Sequence, residues 1–251
     1  KPLVHNLDLA GPPKLELTLD VPSRLAELMA EGSLDAALLP SIEYLRAPDY
    51  RILPEICIAS DGPVESVRIY SKTPIEEIKS LALDISSRTS VALAQVLLKR
   101  KLGHLPALSQ CAPDIDLWNA AEDAILLIGD PAMKFRSGRE VFTLDLGEEW
   151  ERQNQLPFVY ALWVVRSGVV LANLVERLLR ARHDGMAHLR EVCAQASAVT
   201  GIAESTCYTY LSETIHYQLG EREMRGLSLF QKLAAEDGLC PGGVEIAAVN
   251  R

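Results

Sequence analysis

Five consecutive side chains, Ser86-Ser87-Arg88-Thr89-Ser90, bring four hydroxyls and one guanidinium to a single point of this 251-residue chain. An apolar run at 81–85 precedes them, and Val91, Leu93, Val96 and Leu97 follow at helical spacing, so a strand ends there and a helix begins. A helix N-terminus leaves backbone N–H groups unpaired and carries partial positive charge, which receives anions. Hydroxyl donors and a forked guanidinium suit a carboxylate or a phosphate. Serine N-capping needs one hydroxyl and no arginine. The motif is richer than a cap requires and reads as an anion site.

Other candidates fall at similar places. Ile128-Gly129-Asp130-Pro131 closes a buried apolar run; the glycine permits close backbone approach, and Asp130 is placed to orient a hydroxyl or arginine, to act as an acid or base, or to cap the next helix. Ser60, Asp61, Gly62 and Ser66 offer hydroxyl and backbone donors; a tight turn explains Asp61-Gly62-Pro63 but not Ser66 beyond it. Ser41 follows the apolar run 36–40. The five histidines (His5, His104, His183, His188, His216) form no pair with a third ligand at persuasive spacing. His183 and His188 read as surface residues and His5 as a cleft-edge residue, so no metal site and no cofactor are assigned. G-x-S-x-G, P-loop and G-x-G-x-x-G patterns are absent, which argues against hydrolase, NTPase and dinucleotide readings. Glu148-Glu149-Trp150-Glu151-Arg152 reads as a solvated first helical turn without chemistry, and Tyr160 and Trp163 as core residues.

Composition narrows the partners. Net charge is −9 with no basic block, which disfavours nucleic acid, so an anion must be bound by a local site rather than a global field. The five cysteines are odd in number and show no C-x-x-C spacing; thiols in a reducing cytoplasm are the economical reading. No apolar run reaches the roughly 18 residues of a membrane span, and no leader peptide is visible.

The elements that must position these residues alternate between strand and helix. Strands are predicted at 15–19, 36–40, 56–60, 67–70, 81–85, 107–111, 124–129, 141–144 and 158–166. Helices are predicted from Pro22 to Gly32, after Pro40, from the capping box Thr73-Pro74-Ile75-Glu76, and at 88–102 and 114–121. Beyond 169, about four helices punctuated by Gly185, Gly201 and Gly220 carry Leu171, Leu174, Leu178, Leu189, Leu211, Ile215 and Phe230 on core faces. The order predicts an α/β fold of two lobes, parallel-rich sheets flanked by helices: 1–72 with 156–251, and 73–155 inserted. Open α/β sheets bind ligands beyond their strands' carboxyl ends, where the loops at 40–44, 60–66, 86–90 and 129–130 fall, in a cleft between lobes.

Six segments in order carry a resemblance: Pro40-Ser41-Ile42-Glu43-Tyr44, Ser60-Asp61-Gly62-Pro63-Val64, Ser86-Ser87-Arg88-Thr89-Ser90, Leu127-Ile128-Gly129-Asp130, Asp145-Leu146-Gly147-Glu148-Glu149-Trp150 and Leu156-Pro157-Phe158-Val159. Together they resemble the chorismate dehydratases of the futalosine route to menaquinone, over essentially the whole chain. The resemblance implies a type II periplasmic-binding-protein-like fold used in the cytoplasm for catalysis, with chorismate losing water to give 3-[(1-carboxyvinyl)oxy]benzoate. It implies Ser66 as the catalytic serine and Ser87, Arg88, Thr89 and Ser90 as the clamp on a substrate carboxylate. Ser41, Ser60, Gly62, Gly129 and Asp130 complete the expected substrate-binding set. The family also has an asparagine two residues before the position of Lys1, at the end of a first strand; neither is in this sequence, and the expectation is a missing N-terminal segment. A homodimer is the expected assembly, with no nucleic acid or membrane partner. A small-carboxylate solute-binding protein and the related 1,4-dihydroxy-6-naphthoate synthase are the competing readings.

Overall fold

The structure is a computed structural model that describes every residue except 48, 85–86, 114, 170–172, 244–245 and 247–251. Ser86 of the hydroxyl cluster and Leu171 of the predicted core face lie outside the described residues.

Among the described residues the strands form two sheets. The first takes the order β1 (Ala36–Pro40), β8 (Phe158–Arg166), β2 (Tyr50–Ser60), with both neighbours antiparallel to β8. The second takes the order β5 (Ala107–Cys111), β4 (Ser80–Asp84), β6 (Ala124–Ile128), β3 (Val67–Ser71), β7 (Phe142–Asp145). Parallel pairing joins β4 to β5 and β6, as the alternating pattern predicts; β3 runs against both β6 and β7. The reversal follows from the route of the chain, because β3 enters this sheet from β2 at the edge where β6 and β7 finish, with Val67 opposite Ile128 and Arg68 opposite Asp145.

That pairing moves one boundary. The segment 1–72 assigned to the first lobe includes β3, which hydrogen-bonds in the second sheet, so the chain crosses at 61–66 instead. It crosses back after α5 (Leu146–Asn154), entering β8 at Phe158, opposite Ser60 of β2. The register thereby gathers Ser60, Phe158 and the β1 terminus at one edge of the first sheet, and Val67, Ile128 and Asp145 at one edge of the second.

Three predicted elements differ. Residues 15–19 are extended but pair with no strand among the described residues, since no neighbour lies alongside. The capping box at 73–76 yields only a 3-10 turn, Ile75–Glu77, because β4 must begin three residues later. The helix predicted at 114–121 is replaced by turns: Asp116 Oδ1 accepts from the backbone N–H groups of Trp118 and Asn119, the local side-chain bonding that competes with a helix.

After β8 come α6 (Leu174–Ala187), α7 (Leu189–Thr200), α8 (Glu204–Thr209) and α9 (Glu221–Glu236). Gly185 does not punctuate them; it lies inside α6 because a Cβ there would strike the carbonyl of Pro2. Between α8 and α9 a π-helical turn, Tyr210–Thr214, leads into an extended segment that bonds to β2 through Ala59 and His216 in both directions and through Cys57 N–H to Tyr217 O. The core runs through both lobes. Phe158 sits edge-on to Trp150 (5.0 Å) and to Phe230 of α9 (4.9 Å), and Trp150 Nε1 donates to Pro157 O (3.2 Å), which fixes the return crossing.

Candidate functional site between the lobes

Two helices begin where the lobes meet. α2 (Ser41–Arg46) starts directly beyond β1, and α3 (Thr89–Leu102) starts beyond β4. Ser41 Oγ lies 3.5 Å from Thr89 Oγ1, which also accepts the Ile42 N–H at 3.3 Å, and both side chains are buried. Two positive helix ends therefore face each other across a hydroxyl bridge, a place where negative charge is stabilised. Ser87 and Ser90 are buried beside Thr89. Arg88 is half-exposed; its Nη2 lies 4.0 Å from Glu27 Oε1 on α1 (Pro22–Ala30), and its Nε is a buried donor with no hydrogen-bond partner among the described residues. A donor buried and unmade costs free energy that an incoming carboxylate oxygen would recover.

Ser66 lies on the first crossing, one residue before β3, with its hydroxyl 2.8 Å from Tyr210 Oη. Its carbonyl accepts the Gly129 N–H at 2.7 Å, so the crossing is pinned to the end of β6 and the start of α4 (Gly129–Lys134). Burial raises the Tyr210 phenol above its ordinary range, against the opposing hydrogen bond with Ser66, so it stays protonated and neutral at working pH. The shape of the crossing is set by Asp145. Its Oδ1 accepts from Val64 N–H (2.9 Å), Gly147 N–H (3.0 Å) and Glu148 N–H (3.2 Å), and its Oδ2 from Glu65 N–H (2.7 Å) and Arg68 Nε (3.1 Å). One buried carboxylate thus caps α5 and holds the strap that carries Ser66, with Glu65 in the left-handed region at φ 62° and Gly62 at φ 114°.

Ser60 is bound into the same junction. Its hydroxyl donates to Gly62 O (3.2 Å) and lies 3.2 Å from Tyr160 Oη, whose pKa burial pushes up. Gly147 closes against them: a Cβ there would lie 2.5 Å from Gly62 O and 2.9 Å from Ser60 Oγ. Only a bare Cα fits where α5 meets the crossing.

The model of the menaquinone biosynthesis family matches residues 1–236. The chain belongs to that family. A chorismate dehydratase of Thermus thermophilus is 32% identical over 247 residues, 91% of this chain and 89% of that protein. Among solved structures, a protein of Archaeoglobus fulgidus superposes with a TM-score of 0.69 at 19% identity, covering 90% of this chain and 87% of that one. The periplasmic aliphatic sulphonate binding protein SsuA of Escherichia coli superposes with a TM-score of 0.61 at 14% identity, covering 93% and 82%. The last two establish the fold, a two-lobed periplasmic-binding-protein-like architecture.

Within this member of the menaquinone biosynthesis family, the fold brings Ser41 to Thr89 and Ser66 to Gly129. It ties Ser60 to Gly62 and leaves Asp130 exposed. Tyr210 and Asp145 are the residues that sequence reading missed. Asp145 was visible as an N-cap ahead of the acidic turn Glu148-Glu149, whereas nothing in the helical pattern around Tyr210 announced its part. A separate groove of about 760 Å³ lies within the first lobe, between the extended stretch 14–20 and β1, and reaches Trp163 and Tyr210. Its walls are mainly apolar, from Leu15, Leu17, Leu34 and Leu38. No described helix is long and apolar enough to cross a membrane.

Proposed function

We propose that this protein is a chorismate dehydratase, a carbon–oxygen hydro-lyase that converts chorismate to 3-[(1-carboxyvinyl)oxy]benzoate in the futalosine route to menaquinone, acting in the cytoplasm without a cofactor. The observation that carries the reading is kinship: 32% identity with a chorismate dehydratase across nine-tenths of this chain, inside a family matched over residues 1–236. The geometry supports it, because the interlobe junction is rich in neutral donors facing two helix N-termini, which is what a substrate with two carboxylates requires.

The reaction removes the proton from C3 and the hydroxyl from C4 of the ring; they leave together as water, and the electron pair of the broken C–H bond completes the aromatic ring. The driving force lies in the substrate. The protein's work is to hold the ring carboxylate, into which negative charge spreads as the C3 proton departs, and to assist the departing hydroxide. Ser87, Arg88, Thr89 and Ser90 clamp a carboxylate at the start of α3, with Ser41 opposite. Ser66, oriented by Tyr210, addresses the reacting ring, and a preorganised donor of this kind contributes about 3 kcal/mol. Ser66 and Tyr210 are both neutral, so the substrate's own enolpyruvyl carboxylate takes the C3 proton and passes it on to the departing C4 hydroxide, which leaves as water with the carboxylate regenerated.

Chorismate incubated with the protein should lose one water and yield an aromatic product, followed by absorbance and mass. Ser66→Ala should slow product formation by about 10²-fold while chorismate still protects the fold against heat. Binding without product in the parent protein would instead favour a small-carboxylate binding protein, and no binding would reject the reading.

A further inference from the structure

The fold gathers three residues that sequence spacing left apart. His5 follows the N-terminal 3-10 turn (Pro2–Val4), Asp184 lies in the last turn of α6, and His188 is the residue between α6 and α7. His5 Nε2 is 3.8 Å from Asp184 Oδ2, and His188 Nδ1 is 3.2 Å from Asp184 Oδ1. One ligand atom from each of the three lies within 4.8 Å of the others, and the imidazole centroids are 5.6 Å apart. We propose that His5, Asp184 and His188 form a binding site for one divalent first-row transition ion of the zinc class, clipping the N-terminal turn to α6.

The ligand chemistry supports the class. Two imidazoles and one carboxylate suit zinc, copper or nickel and disfavour magnesium or calcium, which take oxygen sets. With zinc–ligand bonds of about 2.0–2.2 Å, tetrahedral ligand atoms lie roughly 3.3–3.6 Å apart. The observed 3.2 and 3.8 Å separations bracket that edge, so small side-chain rotations suffice. Solvent would take the fourth position.

The surroundings are already arranged. Asn6 Nδ2 donates to Asp184 Oδ2 at 2.7 Å, the kind of contact that orients a ligating carboxylate. The N-terminal turn is seated by buried Pro2 and Leu3, and Pro2 packs directly on Gly185, so His5 is presented by a fixed segment. His188 Nδ1 now faces the Asp184 carbonyl at 2.9 Å and must exchange that contact for the ion. The neighbouring His183 is exposed on α6 and is not part of the cluster.

Cobalt(II) and zinc(II) titrated into untagged protein test the site. One equivalent should bind, cobalt should develop the visible absorption of a four-coordinate ion, and excess zinc should raise the thermal midpoint. His188→Ala, at an exposed position, should weaken zinc at least tenfold without altering the metal-free midpoint. His5→Gln should do the same at the other ligand. Absence of stoichiometric binding at about 100 μM zinc, or binding that survives both substitutions, would overturn the proposal.

Discussion

Replacing Asp145 by asparagine isolates the carboxylate that shapes the first crossing. Asparagine keeps one acceptor oxygen and turns the other into a donor. With the oxygen at the Oδ1 position, the bonds from Val64, Gly147 and Glu148 survive, while Glu65 N–H and Arg68 Nε face an NH₂ group. The opposite orientation loses three bonds, so the first is preferred. A hydrogen bond to a charged group contributes about 1.5–3 kcal/mol net. Arg68 is 30% exposed, which puts its share at the low end, about 1 kcal/mol. The expected loss of stability is therefore about 2–4 kcal/mol, or roughly 4–15 °C in the unfolding midpoint for a chain of this size. Urea unfolding of parent and Asp145→Asn measures it directly. Because Glu65 adjoins Ser66, kcat for chorismate should fall at least about tenfold with a smaller change in KM, the pattern of a mispositioned group. A variant within about 0.5 kcal/mol of the parent and equally active would refute the assignment of Asp145 as the brace of the crossing.

Three further outcomes follow from the same geometry. Ser66→Ala and Tyr210→Phe should each lower kcat by about 10²-fold in a continuous product assay and cost no more than about 1 kcal/mol of stability, and their double variant should show less than the sum because the two hydroxyls share one hydrogen bond. Gly147→Ala should destabilise by about 1–3 kcal/mol in urea, since the added methyl meets Gly62 O at 2.5 Å and α5 must move off the crossing. Stability should fall on acidification. Burial alone would raise the Asp237 carboxyl, but the hydrogen bonds from Lys99 (2.7 Å) and Arg100 (3.0 Å) outweigh it and hold the folded pKa below the ordinary value. Its contribution is present above the unfolded value of about 3.9 and disappears as pH drops through the folded one. Asp237→Asn should flatten the urea midpoint against pH below about pH 4, and an unchanged slope there would contradict the pairing.

Period and punctuation made much of the fold readable. The apolar runs from 81 to 128 and the helix at 88–102 made the parallel part of the second sheet legible, because a βαβ unit leaves a local imprint. The strand at 15–19 misled for the opposite reason: alternation marks a residue pattern suited to pairing, while pairing itself needs a neighbour that only topology supplies. β3 was assigned to the wrong lobe because a strand's sheet is a matter of long-range register, opposite Ile128 and Asp145, which has no local signature. At the site, Ser41 and Thr89 stood out through position, a polar residue at the end of an apolar strand. Tyr210 did not, since it is delivered by a π-helical turn and by the pairing of 216–217 with β2.

The interlobe contacts explain why the catalytic serine proposed here sits on a crossing rather than deep in either lobe. Ser66 is joined at its carbonyl to Gly129 of the second lobe and at its hydroxyl to Tyr210, whose segment is bonded to β2 of the first. Ser41 and Thr89 make a second direct contact between the lobes. Entry of a substrate between them must loosen both contacts, because the four side chains are largely withdrawn from solvent and hydrogen-bonded to one another. The strap itself is less free to bend, since Asp145 grips Val64 and Glu65 from the second lobe while Ser60 and Tyr160 hold its other end in the first. Any opening that admits the proposed substrate is therefore expected at the ends of the crossing. On the proposed roles, closure around a bound dianion is expected to return the Ser66 hydroxyl to Tyr210 in the same movement that brings Ser41 and Thr89 together, setting the proposed clamp and the proposed reacting hydroxyl at once.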